Sequence, residues 1–133
     1  MKIGDAIQSA DWKNEKHVPV IEAPDTVKAG EPFMVTVSVG KEIPHPNTTA
    51  HHIAWIDVYF KPEDSKFLHQ LGHFAFTGHG ASVKGPDTGP AYTHPIATFS
   101  VTVDGPGTLV ATEWCNIHGL WESSKPLEVT EAD

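Results

Sequence analysis

The sequence predicts an all-β protein, a seven-stranded antiparallel β-sandwich of immunoglobulin-like type, on three grounds. Short apolar segments recur along the chain, and the clearest of them alternates with polar residues at the period of two that a half-buried strand requires. No stretch carries a helical period. Gly (11) and Pro (11) cluster between the apolar segments, where turns belong.

The elements follow in order. His17 to Glu22 reads as a short opening strand. Phe33 to Val39 alternates cleanly, with Phe33, Val35, Val37 and Val39 on one face and Met34, Thr36 and Ser38 on the other. Ile53 to Phe60 is apolar on both faces except at Asp57, which suits an interior strand. Phe67 to Phe76, Ile96 to Val103, Leu109 to Trp114 and Leu127 to Thr130 complete the set. The breakers Lys28-Ala29-Gly30, Lys61-Pro62-Glu63-Asp64, Gly85-Pro86-Asp87 and Asp104-Gly105-Pro106-Gly107 separate them. The sequence shows no internal repeat or linker.

At 133 residues the chain has room for one domain, 1–133. A domain of this size buries roughly two-thirds of its unfolded surface and needs no disulfide. Its single cysteine can form none internally. That lone thiol, the lack of an apolar stretch of membrane length and a mixed, polar start from Met1 to Trp12 predict a cytoplasmic protein without a membrane partner. A formal charge of -8 argues against nucleic acid, which wants a basic surface. An anionic substrate would need a local cationic patch to overcome that field.

Nine histidines are many for this length, and three segments place them beside other donors. Cys115-Asn116-Ile117-His118 puts a thiol and an imidazole on one tight turn, where both can face one ion. Alone, Cys115 reads more readily as a small buried hydrophobe and His118 as a turn residue. His45 stands between Pro44 and Pro46, whose fixed φ stiffens the loop that carries the ring. An incidental histidine in an exposed Pro-rich loop is the plain alternative. His51-His52 leads into the third strand. Extended residues point to opposite faces, so at most one of this pair easily joins His45. In Glu15-Lys16-His17, an extended backbone would turn Glu15 and His17 one way and Lys16 the other. One site could use all three only if the segment bends. His69, His73, His79 and His94 lack such context; His69 and His73 read as surface rings on a strand.

Together, Glu15 to Pro19, Lys41 to Asn47 through Ile53, and Cys115 to Trp121 resemble the superoxide reductase family in its one-iron, neelaredoxin-type form. The similarity runs from about Asp11 to beyond Trp121. The related desulfoferrodoxins add an N-terminal domain with a four-cysteine iron site, which a chain with one cysteine lacks. The resemblance implies one iron per subunit, Fe(2+) or Fe(3+). Its equatorial ligands would be His17, His45, His51 and His118, its axial ligand Cys115, and His52 would be a non-ligand. It gives Glu15 as the acid that takes the sixth position on ferric iron and Lys16 as the cation beside the open position. It implies one-electron reduction of superoxide to hydrogen peroxide, a rubredoxin-like electron donor and a homo-oligomer, a tetramer being favoured.

Three rivals use similar donors. A cupredoxin-like copper electron carrier also joins Cys and His in a β-sandwich, but needs two histidines and an axial methionine. No methionine follows His118 here. A structural zinc site wants four closed tetrahedral ligands, and five donors with an open edge fit it poorly. A superoxide dismutase would also release dioxygen, so product stoichiometry separates it from a reductase.

Overall fold

The computed structural model describes residues 1–133 and contains eight strands. They are β1 (Val20–Glu22), β2 (Thr26–Lys28), β3 (Phe33–Ser38), β4 (Ile53–Pro62), β5 (His69–Ala75), β6 (Ile96–Val101), β7 (Gly107–Cys115) and β8 (Gly119–Thr130). The only helical element is a single 3-10 turn at Ile3–Asp5. One sheet has the order β1-β3-β6, the other β2-β8-β7-β4-β5. No helix is long and apolar enough to cross a membrane.

Alternation builds the core. Phe33, Val35 and Val37 of β3 face Ile56, Val58 and Phe60 of β4, Leu109 and Ala111 of β7, and Leu127 of β8, in one cluster of 16 buried residues drawn from both sheets. Each of the Val, Leu, Ile and Phe side chains contributes about 1.5–3 kcal/mol by leaving water. β4 lies inside its sheet, between β7 and β5, which accounts for its apolar residues on both faces.

The structure corrects the predicted count and pairing. The additional strand, β2, joins β8 in parallel, with Thr26 opposite Glu128 and Lys28 opposite Thr130, so the molecule is not wholly antiparallel. Three residues with one buried side chain, Val27, are too short to show alternation. The opening strand starts at Val20 rather than His17, because Pro19 has no N–H for the ladder. The last strand starts at Gly119 rather than Leu127. Its first half carries Ser123, Ser124, Lys125 and Pro126, a turn-like composition, yet Thr108 to Cys115 pair with it throughout. β2 joins β8 only from Glu128 onward, so no neighbour on that side needs a donor from Pro126.

Two details aim the end of the sandwich. Ile53 opposes Cys115 while Trp55 opposes Trp114, so Ala54 is an extra residue that kinks β4 just after His51 and His52. Gly119, at φ 81, closes the β7–β8 hairpin in a left-handed conformation that favours glycine. The Cys115–His118 segment is that hairpin's turn.

Candidate metal centre

β7 sends Leu109, Ala111, Glu113 and Cys115 inward, and all four are fully buried. The first two meet apolar neighbours. Cys115 instead ends the strand where the 15–17 segment and the 43–52 loop converge. The donor atoms of His17, His45, His51 and Cys115 all lie within 4.8 Å of one another. Sγ of Cys115 is 3.5 Å from Nε2 of His45 and 3.9 Å from Nδ1 of His118.

The four imidazoles close into a ring. Centroids are 4.8 Å apart for His17 and His45, 4.8 Å for His45 and His51, 5.1 Å for His51 and His118, and 4.7 Å for His118 and His17. Nε2 of His17 is 3.1 Å from Nδ1 of His118. Two nitrogens each about 2.1 Å from one ion at a right angle would stand about 3 Å apart.

Hydrogen bonds at the far nitrogens fix which atom faces the centre. His17 donates from Nδ1 to Oε1 of Glu15 at 2.7 Å, and its backbone N–H reaches the same oxygen at 2.8 Å. That leaves a lone pair on Nε2. His45 donates from Nδ1 to the Pro46 carbonyl at 2.6 Å, again freeing Nε2. Nε2 of His51 is buried without any partner. An orphaned imidazole nitrogen facing a thiol and three other rings is a costly arrangement that a metal ion would relieve.

The loop carrying His45 and His51 is held from several sides. A Cβ on Gly40, at φ +90, would stand 2.8 Å from the His45 amide nitrogen, so the chain comes this close only with glycine there. Thr48 caps His51, its hydroxyl accepting from the His51 N–H at 3.0 Å. Asn116, inside the Cys115–His118 turn, accepts from the His52 N–H at 2.9 Å and donates to the Ala50 carbonyl at 2.9 Å. His52 itself turns away and stacks on His79, with centroids 3.4 Å apart.

Burial pushes the His45 ring down to about 4; the charges of His17, His51 and Lys16 add to this, against the opposing pull of the Pro46 carbonyl. His51 is lowered by burial first and then by its charged neighbours, Lys16 among them. Both rings are therefore neutral near pH 7, the form that binds metal. Lys16, half-buried, is thus close enough for both rings to feel its charge. Burial works to raise the Glu15 carboxyl, but the backbone and ring of His17 outweigh it and hold the group below its ordinary value. The Glu15 carboxylate is therefore engaged with His17 and lies outside the converging donor set.

Sequence reasoning did not single out Glu113. Its carboxyl is buried with neither oxygen hydrogen-bonded. Burial, reinforced by the Glu15 carboxylate, pushes it up to about 9, while the Cys115 backbone pulls the other way. Its inward parity with Ala111 and Cys115 was the available signal. Asn116 and Trp121 were also missed as contacts, since both roles depend on segments distant in sequence. His69 and His73 sit on exposed β5, where His73 pairs with Asp57, and take no part in the cluster.

The sequence profile of the desulfoferrodoxin family matches residues 9–124. The chain belongs to this family. It is 60% identical to the neelaredoxin of Megalodesulfovibrio gigas, covering 94% of this chain and 96% of that one. It is 54% identical to the superoxide reductase of Pyrococcus furiosus, covering 95% and 99% respectively. The fold superposes on the reduced form of the Archaeoglobus fulgidus superoxide reductase (neelaredoxin) with a TM-score of 0.85, at 54% identity over 92% of this chain and 98% of that one. Within this chain, the donor atoms of His17, His45, His51 and Cys115 lie together as a metal site requires.

Proposed function

We propose that this chain, residues 1–133 acting as one domain, is a superoxide reductase with a mononuclear non-haem iron centre. The observation that carries the reading is the closed ring of His17, His45, His51 and His118 beside the Cys115 sulfur. His17, His45 and His51 would bind through Nε2 and His118 through Nδ1, with Cys115 as the single thiolate. Five donors of this kind exceed a closed tetrahedral zinc site, and four imidazoles exceed a blue-copper site. When bound, one iron per subunit supplies one electron to superoxide, which with two protons gives hydrogen peroxide.

The chain's residues divide the remaining work. The His118 backbone N–H donates to the Cys115 sulfur at 3.4 Å, which moderates how much electron density the thiolate gives up. Lys16 supplies the local positive charge that a chain of -8 otherwise denies an approaching anion. Glu15 orients His17 through Nδ1. To become the sixth ligand of an oxidised ion, as the resemblance implies, it must give up both hydrogen bonds to His17.

A small one-electron donor of rubredoxin type would restore the ferrous state, in the cytoplasm, where a buried free thiol such as Cys115 persists. A homotetramer remains the proposed assembly, and the exposed Met34 and Ile96 on the outer face of the β1-β3-β6 sheet are available for it. The two sheets with their shared core suit an immunoglobulin-like sandwich carrying one added edge strand.

The test is stoichiometric. Protein purified without oxygen and supplied with an electron donor should yield one peroxide for each superoxide consumed. One peroxide for every two, with dioxygen released, would make the protein a dismutase instead.

A further inference from the structure

Trp121 touches two of the four histidines with one side chain. Its indole lies flat on the His17 ring, with centroids 4.8 Å apart and planes 13° from parallel. Its Nε1–H donates to the His118 carbonyl at 3.2 Å. These histidines are 101 residues apart in sequence, yet their facing nitrogens are 3.1 Å apart. Trp121 also stands directly opposite Glu113 in the β7–β8 ladder, so its side chain shares the inward face that carries Cys115.

The surroundings hold the backbone of Trp121 in place. Gln8 brackets it through two backbone bonds, donating to the Leu120 carbonyl at 3.0 Å and accepting from the Glu122 N–H at 2.9 Å. Two residues along β8, the Ser123 hydroxyl donates to the Pro19 carbonyl at 2.6 Å. The His17–Pro19 segment belongs to no strand, and β8 fastens it at both ends. Glu15 grips His17 in the ring plane, which fixes the tautomer but leaves the ring free to rock about that bond. A flat aromatic contact removes that freedom.

We propose that Trp121 is a positioning residue for the metal centre, setting the plane of His17 and tying it to the turn that carries Cys115 and His118. The inference rests on reading the four imidazoles as a ligand set. Without the indole, His17 rocks and the turn loses one anchor, so the ion is held less tightly and in a changed field. Groups that orient ligands in this way are typically worth roughly 10–100-fold in metal affinity.

The test compares iron-loaded wild type with Trp121→Phe, which keeps the stack without the donor, and Trp121→Leu, which keeps neither. Iron loss to a competing chelator, the paramagnetic resonance of the oxidised protein and the melting temperature are read on each. Trp121→Leu should release iron roughly 10–100-fold more readily and show an altered resonance. Trp121→Phe, which keeps the stack but loses the tie to the turn, should fall between wild type and Trp121→Leu on both. A lower melting temperature with iron affinity and resonance unchanged would make Trp121 merely structural and overturn the proposal. Should Trp121→Leu not fold, wild type loaded with zinc(II) decides. Ring current from the indole should move the His17 ring protons upfield of those of His45, and their absence from that position would overturn it. Wild type that binds no iron would end the reading of the centre itself, a result distinct from iron held equally well by wild type and Trp121→Leu.

Discussion

The middle and the end of the same sandwich follow one rule and reach opposite results. In the middle, the inward positions of β3, β4 and β7 are Val35, Val37, Ile56, Val58, Leu109 and Ala111, all fully buried and apolar. At the end, the same inward parity of β7 delivers Glu113 and Cys115, and the neighbouring loops add His17, His45 and His51. The middle stabilises the molecule by removing hydrocarbon from water. The end concentrates polar groups that burial alone would penalise, including an unpartnered imidazole nitrogen and an unpartnered carboxyl. Changes at the end should therefore alter chemistry and metal binding, and changes in the middle should alter stability alone.

The largest effect belongs to the sulfur. Cys115→Ser should cost more than the roughly 100-fold typical of groups that only orient a ligand, and should change the visible spectrum of the oxidised protein. Stopped-flow assay and absorption spectroscopy check this. Full activity with an unchanged spectrum would remove Cys115 from the centre. In the middle, Leu109→Ala should destabilise by about 2–5 kcal/mol in denaturant unfolding and leave the spectrum as it was. A spectral change there would break the division between the two regions.

Lys16→Ala acts on the approach of substrate. Its second-order rate with superoxide should fall by about 10–100-fold, equivalent to about 1.4–2.7 kcal/mol of barrier. A pulse-radiolysis rate equal to wild type would exclude Lys16 from the reaction.

Protons should sharpen the contrast further in metal-free protein. His45 titrates near 4 when folded, below the value of about 6.5 in an unfolded chain. The unfolded state therefore takes up its proton first, and stability is lost as pH falls from about 6.5 toward 4. Glu113 has the opposite sign. Its folded value of about 9 lies above the unfolded value of about 4.3, so stability declines as pH rises between them. Glu113→Gln should abolish that decline, and because the two windows overlap below about pH 6.5 it should also steepen the loss on the acid side that His45 causes. Melting temperatures measured across this range would show it.

The middle was the more legible region in the sequence. Phe33 to Val39 announces its buried face by alternation, and the near-continuous apolar run of β4 announces an interior strand. β2 escaped because three residues give no period, and only its distant parallel partner makes it a strand. The first half of β8 escaped because Ser, Lys and Pro read as turn chemistry until β7 pairs with them. At the end of the sandwich, each histidine motif stood out through its neighbours; the opposite facing of an extended pair limited His51-His52 to one ligand, and only the family resemblance chose His51. Glu113 was hidden because an acid on an inward face contradicts the expectation for a core. The stack of Trp121 on His17 and the bonds of Asn116 to His52 and Ala50 arise only when segments distant in sequence are brought together, which local patterns do not encode.

The proposed centre is one iron held among four imidazoles and one thiolate. X-ray absorption at the iron edge of protein purified without oxygen tests it most directly. One iron per chain is expected, with a nitrogen-dominated shell and a single sulfur neighbour. Zinc or copper in place of iron, or an iron shell without sulfur, would contradict it.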